Sequence, residues 1–391
     1  MTATAATAAP ADLAAELRSL FRDELAAEVE GWERDCLLPR HVFERLTALG
    51  VFDARWNGSS RAGDVDVAAA LARESTLVSI GAAIAISAHS EAFLPALRLC
   101  ELGRDGAEDR IGCIALSEAT SGSDLGNCAT RARRSGDGWA IAGHKHYVSN
   151  FRTATDCVVF TRTSDTGTLN DFTLFLVPTG ADGVAATPYS PAGARAAGTC
   201  AVDLAEVQVG DERRVGPVGV GLRITLEFLR RERLWAAVAA AAVAELAYEI
   251  ALAYASRRRV AGAALRDHQA IAHRLVDLEC QVAAARAIAD GLVAAERGGA
   301  VSGATGAAGK LYATRVACAA LDEAVQVMGA RGFTDEAPMS RLWRDGRAMR
   351  IGGGADEVLR EQVARAQRPG PLADHPLVRA CAEAAGQAGS A

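Results

Sequence analysis

The chain has 391 residues, half of them hydrophobic, with few aromatics, a formal net charge of −6 and a pI near 5.7. This acidic balance disfavours nucleic-acid and anionic-membrane partners, because phosphate binding needs a clustered basic surface, and the runs RARR (131–134) and RRR (257–259) are too short to reverse it. The length implies two or three domains, and the abundance of alanine favours closely packed helices over an all-β architecture.

The first residues, MTATAATAAPADLAAELRSLF, lack the basic segment and apolar core of a signal peptide. Nine cysteines lie between Cys36 and Cys381 with no C-x-x-C pair, which signals neither a disulfide framework nor a zinc site, so no metal and a reduced, cytoplasmic setting are expected. From residue 11 to about 110 helical patterns alternate with short breaks: DLAAELRSLFRDELAAEVEGW, PRHVFERLTALG ended by Gly50, and VDVAAALARESTLVSIGAAIAISAHSEAFLPALRLCELG. These predict an N-terminal helical domain over 1–112.

From about 113 the pattern changes to short β-rich runs between turn residues: GWAIAGHKHYV, CVVFTRT, FTLFLVP and TCAVDLAEVQV. A middle β domain over 113–213 follows. Helical patterns then return. Leu222 to Ala261 is free of glycine and proline, and later patterns cover Ala263 to Asp290, Lys310 to Met328 and Ala355 to Gln367, predicting an antiparallel C-terminal bundle over 214–391. The span WAAVAAAAVAELAYEIALAYA (235–255) carries Glu245 and Glu249 one turn apart, so it is predicted as a core helix, not a membrane span. The tail beyond Arg368 is expected to be loose.

An α, β, α order with ALSEATSGSD (115–124) at the head of the β region resembles the acyl-CoA dehydrogenases over nearly the whole chain. The resemblance implies a mainly α fold with a middle β-barrel and a C-terminal four-helix bundle, an FAD cofactor, and assembly as a homotetramer or at least a dimer. Residue by residue it places Leu116 and Ser117 at the flavin, and Gly122 and Ser123 near the phosphates. Taken alone, SEATSGSD is a turn offering hydroxyls and backbone N–H groups. Next, GHKHYVSN (143–150) matches G-x-K-x-W-I-T-N, which assigns Tyr147 to stacking on the isoalloxazine and Ser149 to a hydroxyl contact. The segment QVMGARGFTDEAPMSRLWRD (326–345) keeps Gln326 and Gly329, with Ala330 where Gly or Ser is usual. YASRRRVAGAALRDHQ (254–269) keeps Arg258 and Gln269, with Ala261 where Phe is usual. In the family these two segments reach the FAD of a neighbouring subunit. The connection ELGRDGAEDRIGCIALSE (101–118) is shorter than usual on the thioester-entry side.

Desaturating a thioester needs a carboxylate to take the α proton while a hydride leaves the β carbon, so base and flavin must face each other across the acyl chain. Most relatives carry that glutamate in I-Y-E-G-T. Here RIGGGADEVLREQVAR (350–365) puts Gly352 and Gly353 in place of the tyrosine and glutamate, and Asp356 and Glu357 fall where a helix should already turn them away. A minority of the family, resembling the isovaleryl- and long-chain enzymes, draws the base from an E-R-L sequence on the first long helix of the bundle, matched by Glu232, Arg233 and Leu234. Helical spacing agrees independently: Phe228, Leu229, Trp235, Ala236 and Ala239 share the Glu232 stripe. A glutamate on such a stripe could instead be neutralised by Arg231 or Arg233. Gly353 is expected to give its backbone N–H to the thioester carbonyl.

The expected activity is FAD-dependent α,β-dehydrogenation of an acyl thioester carried on CoA or on an acyl carrier protein, with an electron-accepting flavoprotein or oxygen as acceptor. Two alternatives remain open in the sequence: a flavin-dependent monooxygenase of the same fold, which needs no α-proton base, and a non-catalytic flavin-binding relative.

Overall fold

The computed structural model describes residues 10–56, 63–102 and 109–387. Helices α1 to α7 come first: Pro10–Ser19, Val29–Asp35, Arg40–Ala48, Val51–Trp56, Val65–Val78, Ile80–Ser87 and Leu94–Leu97, with a π-helical turn at Ala88–Phe93. Strands β1 to β8 follow: Gly112–Ala115, Arg131–Ser135, Gly138–Val148, Asp156–Arg162, Phe172–Pro178, Val184–Pro188, Cys200–Gly210 and Arg214–Val215. The chain returns to helix in α8 to α14: Gly221–Arg257, Gln269–Arg297, Gly303–Met328, Ala330–Phe333, Met339–Ala348, Asp356–Ala366 and Pro376–Gln387. The tail expected to be loose thus contains a helix.

The sheet runs β6-β7-β3-β2-β4-β5-β8, with β1 added in parallel to β4. Strand β4 is buried on both faces: Cys157 and Val159 join one apolar cluster, whereas Val158 and Phe160 join another that includes Phe228 of α8. This accounts for its continuous hydrophobic run, since a strand covered on both sides has no polar face to alternate with. The second cluster also takes in Cys128 and the partly buried Leu116 and Leu125. It therefore packs the 115–124 turn against the start of α8.

The two helical regions share one core. A single cluster joins Leu17, Phe43 and Leu71 of the N-terminal region to Trp235, Ala240, Ala317 and Leu342 of the bundle. Alanines line α8 at 237, 239–242, 244, 247, 251 and 255, all buried, which lets α8 and α10 approach closely. By length and composition Ile80–Leu97 and Gly221–Arg257 could cross a bilayer, but both pack within the protein.

Candidate active site

The turn after β1 is built by its own polar groups. Glu118 and Ser121 exchange backbone hydrogen bonds, Ser121 Oγ donates to the Asp124 carbonyl at 2.6 Å, and Asp124 caps the short helical turn at Leu125–Asn127. Lys145, fully buried on β3, staples it: Nζ donates to Glu118 Oε1 at 2.7 Å and to the Leu116 carbonyl at 3.2 Å. The Glu118 carboxylate also accepts from the Ala129 and Thr130 N–H groups. Burial alone would raise this carboxyl, but Lys145 and the N–H donors outweigh it and hold it down to about 2.

One residue beyond Lys145, the His146 N–H donates to the Ser117 carbonyl at 2.8 Å, and the β3–β7 register slips between Lys145 and Val148. Tyr147 sits at that bulge with φ +58° and is 67% exposed, although it interrupts a strand whose neighbours Lys145 and Val148 are buried. Its ring stacks on Tyr189 at 5.2 Å between centroids, and Tyr189 in turn hydrogen-bonds His146 Nδ1 at 2.6 Å. Ser149 Oγ lies 3.5 Å from Thr199 Oγ1, and Gly122 and Ser123 are exposed. An open aromatic face beside Ser117, Ser149 and a glycine-bearing turn fits a flavin, since a flat π system is offered next to hydroxyl and N–H donors.

Arg258, Gln269, Gln326 and Gly329 lie elsewhere. They are exposed where α8 ends, α9 begins and α10 ends, which the antiparallel order α8–α9–α10 puts at one end of the bundle. Glu232 is near the other end, about 39 Å away along α8 at 1.5 Å per residue. Within a single copy these residues and the Tyr147 rim do not form one site.

Glu232 is half-buried, with Phe228, Trp235 and Ala239 of its stripe buried around it. Among the described residues it has no ion pair and no hydrogen bond. Arg231 donates to Glu227, while Arg233 gives Nε to the Gly353 carbonyl at 3.2 Å and Nη1 to Gln362 at 2.7 Å. The neutralised-glutamate alternative is therefore not what the structure contains. Burial raises the Glu232 pKa, partly opposed by Lys310 and Arg233 and reinforced by the charge of Glu91.

The glycine wall faces this carboxyl. A Cβ built on Gly353 would stand 3.5 Å from Glu232 Cδ and 3.6 Å from Oε1. A side chain at 353 and the carboxyl of Glu232 thus converge on the same small volume. Gly353 has φ +65° and Gly354 φ +106°, conformations that L side chains adopt at a cost. No described residue accepts from the Gly353 N–H, and at Gly352 only the Ala348 carbonyl comes near an added Cβ, at 3.8 Å. Asp356 is buried against Arg350 at 2.5 Å and Glu357 pairs with Arg360, so neither acid competes for the base role.

Sequence reasoning missed Lys310, fully buried on α10, whose Nζ donates to the Gly354 carbonyl at 2.7 Å. It also missed the Glu118–Lys145 staple. A lysine inside the small-residue run GATGAAGKLYA, and a glutamate and a lysine inside two matched motifs, were the available signals. The shortened 101–118 connection was expected to alter the entry side; its residues 103–108 lie outside the described residues.

Comparison with known proteins matches the acyl-CoA dehydrogenase middle domain to residues 113–207 and the C-terminal domain to residues 219–368. The chain is 34% identical over 370 residues to acyl-[acyl-carrier-protein] dehydrogenase MbtN of Mycobacterium sp. (strain MCS), covering 90% of this chain and 92% of that one. Butyryl-CoA dehydrogenase from Megasphaera elsdenii superposes with a TM-score of 0.85 at 24% identity, over 93% of this chain and 99% of the other. A glutaryl-CoA dehydrogenase from Mycobacterium smegmatis, solved in complex with FADH2, superposes with a TM-score of 0.83 at 25% identity, over 91% and 94%.

Proposed function

The chain belongs to the acyl-CoA dehydrogenase family, and from that premise we propose that Glu232 removes the α proton when this enzyme oxidises an acyl thioester to its enoyl thioester with FAD. The reading rests on one observation: an unpaired, half-buried carboxyl directed at the glycine wall where a base is absent. Bound FAD supplies the hydride acceptor. The protein does the rest. Glu232 takes the proton, the free Gly353 N–H donates to the thioester carbonyl oxygen and so acidifies the α carbon, and the apolar α8 stripe keeps water from the base. Because burial raises the Glu232 pKa, flavin reduction should rise with pH through a limb above the ordinary glutamate range.

We also propose that the acyl group is short, branched or functionalised, since Gly352 leaves open space, and that it arrives on a carrier protein, in keeping with the 34%-identical relative's name. Anaerobic mixing with matched CoA and carrier-bound thioesters tests both points. Bleaching of the oxidised flavin without a reductase identifies a dehydrogenase, whereas dependence on a reductase and oxygen would identify a monooxygenase. Carrier-bound substrates are expected to bleach it faster; bleaching by CoA esters alone would remove the carrier assignment. Continuing the mixing in air or with an electron-transferring flavoprotein identifies the acceptor. Nine free thiols accord with a cytoplasmic setting.

The separation of Arg258, Gln269, Gln326 and Gly329 from the Tyr147 rim supports an assembly in which FAD lies between copies, as a dimer or tetramer. Arg258→Glu is expected to weaken FAD retention and to lower the oligomeric state together, read by absorbance at 450 nm across a sizing column. A monomer that keeps its full flavin would overturn the shared site.

A further inference from the structure

We infer that Lys310 is a positioning residue for this reaction: from α10 it grips the glycine wall opposite Glu232 and supplies the positive charge that keeps the base ionised. The inference rests on Glu232 being the base. A fully buried ammonium is costly unless a carboxylate compensates it, yet among the described residues Lys310 has no ion pair, and its hydrogen bond goes to the Gly354 carbonyl at 2.7 Å. The opposing charges around it are Glu232 and Asp356, and the like charges are Arg233 and Arg350. Asp356 places only Oδ2 on Arg350, at 2.9 Å to Nε and 2.5 Å to Nη2, and its buried Oδ1 has no partner, so Asp356 shares the balancing of Lys310 with Glu232, whose charge acts on it more strongly.

The arrangement is reciprocal. Around Glu232 the cations are Lys310 and Arg233, and the other acid, Glu91, is held bidentate by Arg55. Both cations reach the wall at consecutive carbonyls, Arg233 at Gly353 and Lys310 at Gly354. This turn has positive φ at both residues and no side chain to lock it, so those two hydrogen bonds hold the free Gly353 N–H in place. Burial lowers the Lys310 pKa to about 8 although Glu232 favours its charged form.

Lys310→Met keeps an unbranched side chain, one heavy atom shorter, and removes the charge; Lys310→Arg keeps the charge. Stopped-flow flavin reduction across pH, with Glu232→Gln in parallel, reads the electrostatic role. Without the cation a carboxylate is harder to ionise, so in Lys310→Met the acid limb should move up by about one pH unit. In Lys310→Arg that limb should stay. Amide hydrogen exchange across 350–356, measured without substrate, reads the wall and should quicken in Lys310→Met alone. A Lys310→Met profile lowered uniformly at every pH, or unchanged exchange in that segment, would overturn the inference. Full activity in Glu232→Gln would instead remove the base assignment while leaving the exchange result interpretable.

Discussion

Glu232→Gln is expected to lower the rate of flavin reduction by substrate at least about a hundredfold and up to about ten-thousandfold, the usual contribution of a positioned general base. The amide is nearly isosteric, and Glu232 makes no ion pair or hydrogen bond among the described residues, so folding and flavin binding should change little. The measurement is anaerobic stopped-flow absorbance with a substrate that reduces the wild type. Near-normal reduction would show that the glycine wall does not mark a relocated base. Returning a carboxylate through Gly353→Glu in the same protein is a poor rescue: Cβ would already lie 3.5 Å from the original carboxyl carbon, on a backbone with φ +65°, so a full glutamate side chain would overshoot.

Lys145→Met should produce the largest loss of stability, on the order of 3–5 kcal/mol, the range found when one partner of a buried ion pair is removed. Lys145 is fully buried and Glu118 is 6% exposed, so the stranded carboxylate would keep the Ala129 and Thr130 N–H groups and the Cys128 thiol but no cation. The sign of the pH dependence follows from the depressed carboxyl. Its stabilising contribution in the wild type is complete above the ordinary glutamate pKa and is lost as pH falls toward about 2. Denaturant titrations should therefore show the gap between wild type and variant largest near pH 7 and narrowing below pH 4.5. Because the staple fixes the turn carrying Ser117 and the strand leading to Tyr147, FAD should also dissociate more readily. A variant within about 1 kcal/mol of wild type at pH 7 would show that the pair does not hold the turn. Adding Glu118→Gln should recover part of the loss, since the stranded charge is then gone.

Much of this was legible in the sequence because it depends on local pattern. The 3.6-residue period of α8, with Phe228, Glu232, Trp235 and Ala239 on one stripe, placed the glutamate on an apolar face without any coordinates. The β-rich runs located the strands, and the 115–124 and 143–150 motifs located the flavin rim. Period and motif say nothing about which distant segments meet. That the N-terminal helices share one core with the bundle, that Glu118 finds Lys145 across 27 positions, and that Tyr147 is turned outward by a bulge depend on long-range pairing. The same holds at the base. The sequence determined that a carboxylate was missing at 353 and present at 232. Only the tertiary structure decided that a Cβ at 353 would meet the Glu232 carboxyl carbon at 3.5 Å, that both arginines beside Glu232 are engaged elsewhere, and that a buried lysine from α10 stands by the wall. The physical reason is that a charge acts through space: its partner is set by where the helices pack, and no spacing along the chain records that distance.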